Sequence, residues 1–472
     1  MGLRQFDIAF IEFAQEPLVR SNFKTSIIGI EIRDHIQKSK IKHIRLKELF
    51  FIVSGFAFKS SDYVQEGTPL IRIGDVDNDF DESNMVLLPE DYKEEYERYL
   101  LKENDIVVSL TGEGKLKADL VLCGNKYLLN QRVGALRIKT ELNIKFYYFL
   151  INYLLFTKTQ FYWWSNGKTQ LNISPFDFLK IKVPLLSKID QEKIVSKVEP
   201  VEQNIKKLKS KIKAHQEVIN RVFAREFSFN LVRFEALKKV KIFDIDFSHY
   251  GNNKDLRKSV KFHRQAGQFV LDELKNHTSK KIKDFIAEPI VLGKGIFPAQ
   301  YDNDNGEYYY LSMATIKNWK FEKENARLVT DKFASDNQNK TVQVNDILLA
   351  RSGEGTIGKV AIINDKELNG IFADFTMRIR LKNYNSLFAY YYFRTEYFQY
   401  LVEINKKGLG NNTNIFPSQI QEFPLLDIEH KEQERIVFEI KTELDVQEKI
   451  KAKISQERNK IDEIIENAIK NS

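Results

Sequence analysis

The part of this sequence most similar to a catalytic motif is a glycine-rich loop in the second half. Residues 353–359 read Gly-Glu-Gly-Thr-Ile-Gly-Lys, a spacing that fits the loop with which many proteins cradle nucleotide phosphates. That chemistry also needs a Ser or Thr hydroxyl after the lysine to hold Mg²⁺, whereas the next residue is Val360. The sequence therefore favours a turn after a strand, whose amides either approach a phosphate or simply reverse the chain. A self-contained ATP-dependent enzyme is the alternative that would use this loop.

Other catalytic chemistries lack their usual residue patterns. Methyl transfer to a base amine calls for Asn or Asp followed by Pro-Pro and an aromatic residue, and no Pro-Pro occurs. The 7 histidines form no metal-ligand spacing, and the single cysteine, Cys123, excludes an intrachain disulfide and a cysteine-built zinc site. We therefore predict no catalytic, cofactor-binding or metal-binding residue in this chain, and we interpret Cys123 as a small buried apolar residue.

Composition is typical of a large globular protein. A chain of 472 residues with 43% hydrophobic side chains exceeds one ordinary core and predicts at least two domains. The net charge of +8 permits a polyanionic partner. The longest apolar run, residues 146–156, is shorter than the roughly 20 residues that cross a bilayer, so we predict a core helix and no membrane association. The single cysteine and the acidic residues near the start favour a cytoplasmic protein.

The second half of the sequence repeats the first at an offset of about 240 residues. The matched segments, in order, are Leu70–Val76 with Tyr310–Ile316, Asn104–Val107 with Asn345–Leu348, Gly112–Gly114 with Gly353–Gly355, Asn172–Pro175 with Asn414–Pro417, Val183–Leu186 with Phe423–Leu426, and Gln191–Val195 with Gln433–Val437. The first two pairs of segments have the pattern of strands with turn residues around them, and the last pair has the pattern of a helix start. The chain is thus predicted to contain two equivalent modules.

Each module is followed by a helix with an apolar seam. From Lys188 to Glu226, and again from Glu429 onward, core positions recur every three or four residues, and the two registers are displaced by 242 residues. The seams can face each other, although polar residues interrupt both and Pro200 should kink or restart the first helix. The alternative is two ordinary surface helices, each lying on its own domain.

In this order of module, helix, module and helix, the chain resembles the specificity subunits of type I restriction-modification enzymes. Ser54–Tyr63 followed by Pro69–Asp75 is similar to the opening of a recognition domain in that family, and Gly293–Phe297 stands where Ser54–Phe58 stands in the first copy. The resemblance is poor for residues 1–42 and 243–280.

The resemblance implies an α/β (α+β) fold with two repeated target-recognition domains separated by two long antiparallel spacer helices, with pseudo-twofold symmetry. The expected boundaries are 1–187 for recognition domain 1, 188–228 for the first spacer helix, 229–428 for recognition domain 2 and 429–472 for the second spacer helix.

The resemblance also implies a non-catalytic subunit that recognises double-stranded DNA at a site with two dissimilar halves. Two modification subunits would supply adenine methylation that depends on S-adenosylmethionine. Restriction subunits would supply translocation and cleavage that depend on ATP and Mg²⁺, so this chain would bind none of these cofactors. A specificity subunit of a type IIG or IIB-like system is the alternative within DNA recognition.

DNA contact needs Lys and Arg for phosphates, and Arg, Asn and Gln for base edges. Polar loops at 166–170 and 406–412 supply such residues, and Arg351 and Lys359 flank the second glycine-rich turn. As solvated loops, these segments would need no function. The predicted DNA-contacting residues are Lys59, Arg72, Lys115, Lys117, Arg132, Lys168, Gln170, Lys294, Arg351, Lys359, Lys406, Lys407, Asn411 and Asn412.

Overall fold

The computed structural model of the chain forms two compact units. It describes residues 23–76, 80, 82, 85–112, 116–167, 171–248, 259–353, 355–408 and 413–471. The first unit comprises the described residues up to Lys211 together with those from Ile450 onward, and the second runs from Ile212 to Lys449. Two units follow the expectation from chain length, and the first is assembled from both ends of the sequence.

The first unit combines helices with short strands. Its helices are α1 (Phe23–Lys38), α2 (Leu46–Leu49), α3 (Tyr92–Glu95), α4 (Ile144–Asn152), α5 (Leu155–Trp164), α6 (Pro175–Phe178) and α7 (Lys188–Lys209). Its strands are β1 (His43–Arg45), β2 (Phe50–Ser54), β3 (Thr68–Ile71), β4 (Val86–Leu88), β5 (Ile106–Ser109), β6 (Thr111–Gly112), β7 (Ala118–Leu120), β8 (Leu128–Leu129), β9 (Val133–Ile138), β10 (Leu171–Asn172) and β11 (Lys182–Pro184).

Two sheets form the framework of the first unit. An antiparallel sheet has the order β2-β9-β5-β7, and a second sheet has the order β4-β3-β8, in which β3 and β8 are parallel. Strand β5 is buried along its whole length because its apolar run packs on both faces. The main core lies between the first sheet and α4, α5 and α7, and residues 454–465 of the last helix complete it.

The second unit has a similar set of elements. Its helices are α8 (His215–Glu226), α9 (Leu231–Lys239), α10 (Gln265–Lys275), α11 (Asp331–Asp336), α12 (Ser386–Arg394), α13 (Glu396–Asn405), α14 (Pro417–Ile420) and α15 (His430–Lys470). Its strands are β12 (Val291–Leu292), β13 (Tyr308–Leu311), β14 (Ile316–Lys317), β15 (Lys320–Phe321), β16 (Arg327–Val329), β17 (Ile347–Ala350), β18 (Val360–Ile362), β19 (Gly370–Phe372) and β20 (Thr376–Ile379).

The topology of its two main sheets matches that of the two main sheets of the first unit. The sheet β12-β20-β17-β18 corresponds to β2-β9-β5-β7, and the sheet β16-β13-β19, with β13 and β19 parallel, corresponds to β4-β3-β8. An isolated bridge between Lys281 and Pro424 stands where β1 pairs with β11. The repeat predicted from the order of motifs is therefore a repeat of structure.

The Asn-Asp-Ile motif has the same structural role in both units. Asn104 and Asn345 adopt φ angles of 66° and 72°, in the left-handed region that asparagine tolerates better than most residues. The aspartates that follow, Asp105 and Asp346, are buried, and each pairs with an arginine at or just beyond the end of the neighbouring strand. Nε of Arg137 donates to both carboxylate oxygens of Asp105 at 3.0 and 3.1 Å, and Arg380 donates two bonds of 2.7 Å to Asp346. The motif thus starts a central strand and anchors it to the adjacent one.

Within the second unit, the last helix, α15, packs antiparallel to α8. Ion pairs join Arg221 to Glu443, Arg225 to Glu439 and Glu226 to Arg435, so partner numbers fall along α15 as they rise along α8. In the first unit, α7 packs against the end of α15.

The break in the first helical segment differs from the prediction. Pro200 lies inside α7, which continues past it to Lys209, and the helix stops instead at residues 210–214 before α8 begins. The helix therefore does not restart at Pro200, and the prediction of a restart at that residue is wrong. Residues 210–214 fall in the polar part of the predicted apolar seam, between Lys209 and Gln216.

The strand opening at Gly293 in the second unit is shifted by one residue from the register that the sequence predicted. Phe56 bridges to Asn130, and Lys294 bridges to Ala373, so Gly55 corresponds to Gly293 rather than to Lys294. A Cβ at either glycine would overlap the backbone carbonyl oxygens of the strand end beside it. This close approach of two backbones explains a glycine at this place in both units.

We expect Gly55→Ala to lower the free energy of unfolding by about 1–3 kcal/mol, because the added methyl group must push apart two backbones that are in contact. Gly74→Ala is the matched control, since a Cβ there has no heavy atom within 4 Å. Urea-induced unfolding followed by circular dichroism measures both variants. Equal midpoints for the two would contradict the assigned contact.

Candidate nucleic-acid interface

In the second unit, predicted DNA-contacting residues meet at the turn between β19 and β20. The backbone amide of Arg351 donates to the Phe375 carbonyl at 3.0 Å, and its Nε donates to the Asp374 carbonyl, also at 3.0 Å. The Arg351 guanidinium carbon lies 5.7 Å from the Phe375 ring centre and 5.8 Å from that of Phe416. A half-buried arginine is thus held between two exposed aromatic rings, a position that suits contact with phosphate or with a base edge.

A cavity of about 680 Å³ opens beside this arginine. Its lining includes Lys294, Phe297, Met313, Asp374 and Phe375. Lys294 is exposed, and its backbone amide donates a hydrogen bond of 3.0 Å to the Phe372 carbonyl. The structure therefore brings Lys294 and Arg351, which are distant in sequence, to the same turn.

A buried tyrosine supports the wall of this cavity. The Tyr310 hydroxyl donates to the Lys294 carbonyl at 2.7 Å. Burial raises the pKa of Tyr310, and the nearby charge of Asp374 raises it further. The hydroxyl therefore stays a neutral hydrogen-bond donor and holds the Lys294 backbone in place.

The glycine-rich loop is a hairpin turn between β17 and β18. Gly353, Gly355 and Gly358 have φ angles of 87°, 79° and 84°, which only glycine adopts readily. The loop joins two antiparallel strands, whereas a phosphate-binding loop of the Walker type leads from a strand into a helix. The structure thus contradicts that alternative, and Lys359 is a half-buried residue at the start of the returning strand.

The two lysines after α13 differ in exposure. The Lys406 ammonium lies 2.6 Å from the Glu403 carboxylate and its side chain is only 12% exposed, so its charge is already compensated. Lys407 is exposed and exchanges backbone hydrogen bonds of 2.7 Å with Asn414, which also bridges to Ser352. Lys407 therefore borders the surface around Arg351, whereas Lys406 faces into an ion pair.

In the first unit, the predicted residues that the structure describes are more dispersed. Arg132 is exposed at the turn between β8 and β9, where its carbonyl accepts from the Leu110 amide at 3.1 Å. Lys117 follows the glycine-rich segment and pairs through its backbone with Ser109. The Arg72 Nε lies 3.6 Å from the Asp75 carboxylate, and Lys59 is exposed in a separate loop.

Several predictions lie outside the described residues, and one concerning Cys123 is wrong. Lys115, Lys168, Gln170, Asn411 and Asn412 fall in the segments that the structure does not describe. Cys123 is exposed, in contrast to the expected buried position. No described helix has the length and apolar character needed to cross a membrane. Among the described residues, no three His, Cys, Asp or Glu side chains form a group that could hold a metal ion.

Sequence reasoning missed the turn tips and the exposed aromatic residues. Gln131, Asp374 and Phe375 were not among the candidates, because the search for DNA contacts followed positive charge and glycine. A usable signal was present, since apolar strand ends precede both turns and the residues that follow differ in chemistry between the two copies.

Comparison with known proteins identifies the family. The family profile described as type I restriction modification DNA specificity domain matches residues 38–215 and 275–459. The chain therefore belongs to this family.

Individual relatives are distant. The specificity subunit of the type I restriction enzyme MjaVIII from Methanocaldococcus jannaschii is 28% identical over 217 residues, which is 44% of this chain and 50% of that protein. The specificity subunit of EcoAI from Escherichia coli is 28% identical over 192 residues, 37% of this chain and 30% of that protein. The chain thus spans half or less of the length of these relatives. A crystal structure of the type I restriction-modification S subunit from M. genitalium covers 92% of this chain and 96% of its own, with 14% identity and a TM-score of 0.39.

Proposed function

We propose that this chain is the DNA-reading specificity subunit of a type I restriction-modification enzyme, with one half of a bipartite target read by each unit. The observation that carries this proposal is the double match to a DNA specificity family, one match in each half of the chain. The repeated framework supports it, because equivalent loops carry different side chains in the two units. A site with two dissimilar halves requires that combination.

In this proposal the chain supplies recognition, and partner subunits supply the chemistry. Two modification subunits would bring S-adenosylmethionine for adenine methylation, and restriction subunits would bring ATP and Mg²⁺. The chain would bind none of these cofactors and would act in the cytoplasm. The test is to express the chain with a modification subunit in cells and to map methylated adenines. A methylated motif with two separated halves, absent when this chain is omitted, is the expected result; methylation that does not depend on the chain would refute it.

We expect Arg351→Ala to weaken specific DNA binding by the purified complex about 10-fold or more, because the guanidinium is held at the surface between two aromatic rings. The dependence of binding on salt should also decrease if the contact is to phosphate. Lys406→Ala is the control, since its ammonium is already paired with Glu403. Fluorescence anisotropy with the mapped target measures both variants, and equal losses would contradict the assigned roles.

A further inference from the structure

One backbone turn occurs at equivalent places in the two units. It links the two sheets of each unit, as residues 130–133 between β8 and β9 and as residues 373–376 between β19 and β20. The amide of the fourth residue donates to the carbonyl of the first, at 3.0 Å from Val133 to Asn130 and at 2.9 Å from Thr376 to Ala373. We name these segments the sheet-linking turns.

Both sheet-linking turns are held rigidly at their base. The Asn130 amide donates to the Ile71 carbonyl, and the Ala373 amide donates to the Leu311 carbonyl, at 3.0 Å in each case. On the other side of each turn, a glycine backbone packs directly against the first residue of the turn. This glycine is Gly55 in the first unit and Gly293 in the second. Positions held on strands by two sheets place a side chain more accurately than free loops do.

The two residues at the tip differ completely between the units. Gln131 and Arg132 are exposed in the first unit, whereas the second has a half-buried Asp374 and Phe375, which is 45% exposed. Within the described residues, the side chains of Gln131 and Asp374 make no hydrogen bond or ion pair. Neither side chain is needed to maintain the turn, so its identity is free to serve recognition.

An arginine accompanies each turn from a different position. In the first unit, Arg132 is on the tip, and the neighbouring residue whose backbone amide donates a hydrogen bond to the Arg132 carbonyl is Leu110. In the second unit the apolar residue, Phe375, is on the tip, and the neighbour in the place of Leu110 is Arg351. Arginine and an apolar side chain have exchanged positions, so both turns have a guanidinium close by. The chemical difference that remains is Gln131 against Asp374.

The hydrogen-bonding capacity of these two side chains differs. A glutamine amide both donates and accepts, which matches the N7 acceptor and N6 amino donor of adenine in the major groove. A carboxylate only accepts, which matches the N4 amino group of cytosine. The apolar lining of the cavity beside Asp374, with Phe297, Met313 and Phe375, would exclude water from such a contact and so increase its discrimination.

We propose that the sheet-linking turns are base-reading elements, in which Asp374 recognises the amino group of a cytosine in one half-site and Gln131 recognises an adenine in the other. This inference rests on the proposed function. It assigns specificity to two named side chains that sequence analysis did not select.

The test uses the chain in complex with a modification subunit and methylome mapping in cells. Asp374→Asn replaces a pure acceptor by a donor and acceptor of the same shape, so a single cytosine position in one half-site should be relaxed or shifted toward adenine, while the other half stays unchanged. Gln131→Glu should relax one adenine position in the other half. Asp336→Asn is the matched control, because it makes the same change at an exposed residue of α11, and it should leave the motif unaltered.

Binding measurements cover the case in which a variant methylates too weakly to map. Purified Asp374→Asn complex is titrated with the wild-type target and with a panel in which each base pair is replaced. The inference predicts a loss of about 10- to 100-fold on the wild-type target, with recovery on one substituted target or unchanged binding to unrelated DNA. An unchanged motif with unchanged affinity would overturn it, as would loss of assembly with the modification subunit and no change in DNA preference. Absence of any methylation by the wild-type complex would instead refute the proposed function.

Discussion

Replacement of residues 44–186 by the corresponding segment of another family member is expected to change one half of the recognised DNA site and to leave the other half as it was. The structural reason is that the ends of this segment lie together. Ile44 pairs with Val183 in β1 and β11, and the Leu185 amide donates to the Lys42 carbonyl at 2.9 Å. A graft at these points preserves the junction and carries both sheets, the glycine-rich hairpin and the sheet-linking turn with it.

The graft must also keep the packing beneath the recognition domain. Val195 and Val198 of α7 belong to the same buried cluster as Phe146 and Phe149 of α4, so the donor needs apolar residues at the two α4 positions. Methylome mapping of cells that contain the hybrid complex measures the outcome. The matched exchange of residues 282–424, whose ends are joined by the Lys281 to Pro424 bridge, should alter only the opposite half. If either hybrid changed both halves, the two units would not read DNA independently.

Asp346→Asn is expected to destabilise the second unit by about 3 kcal/mol, the lower end of the usual cost of removing one partner from a buried ion pair. The Asp346 side chain is 1% exposed and accepts two bonds of 2.7 Å from Arg380, as well as one of 2.7 Å from the Gln343 amide. In the variant, Arg380 keeps only Glu288 as a charged partner, at 3.1 Å. The single amide oxygen of Asn then has to serve both Arg380 and the Gln343 amide, which two carboxylate oxygens serve in the wild type. Urea-induced unfolding should show the loss, and Asp336→Asn at an exposed position should stay within about 0.5 kcal/mol of the wild type.

The equivalent change in the first unit should cost less. Burial outweighs the favourable contacts of Asp105 and raises the pKa of that carboxyl, which means that its charged form is less well stabilised there. With a folded pKa above the unfolded value, the contribution of this carboxyl to stability is present at low pH and is lost as the pH rises through the folded pKa. Asp105→Asn should therefore lower the unfolding midpoint less than Asp346→Asn does, and the reverse order would contradict these electrostatics.

Much of the fold was accessible from sequence because the repeat occurs at the level of motifs. The Asn-Asp-Ile segments mark a turn, a buried cap and a central strand, and each of those roles has a recognisable residue type. The same holds for the helix that follows each recognition domain, where buried Gln191 and Gln433 bond back to backbone carbonyls just before their helices. Local chemistry of this kind is visible in one sequence.

The errors have a different physical origin. Pro200 was expected to interrupt a helix, yet tertiary packing of Val198 and Ile205 holds the helix on both sides of it, and propensity alone does not include that energy. The register at Gly293 depends on contact with the carbonyls of Phe372 and Ala373, about 80 residues away along the chain. The base-reading proposal likewise depends on which side chains share a turn tip, and that became apparent only when the two units were compared.

The division of α15 between the units affects the order in which the molecule can fold. Ile461 and Ile465 are fully buried in the same core as Val198 and Ile205, although the entire second unit is encoded between them. During synthesis, the first unit to leave the ribosome therefore waits with an open apolar face until the last helix arrives, whereas the second unit already holds its own stretch of that helix. The unit that is synthesised first therefore completes its folding last. Chains truncated before residue 461 should contain a folded second unit and an incompletely folded first unit that stays bound to chaperones.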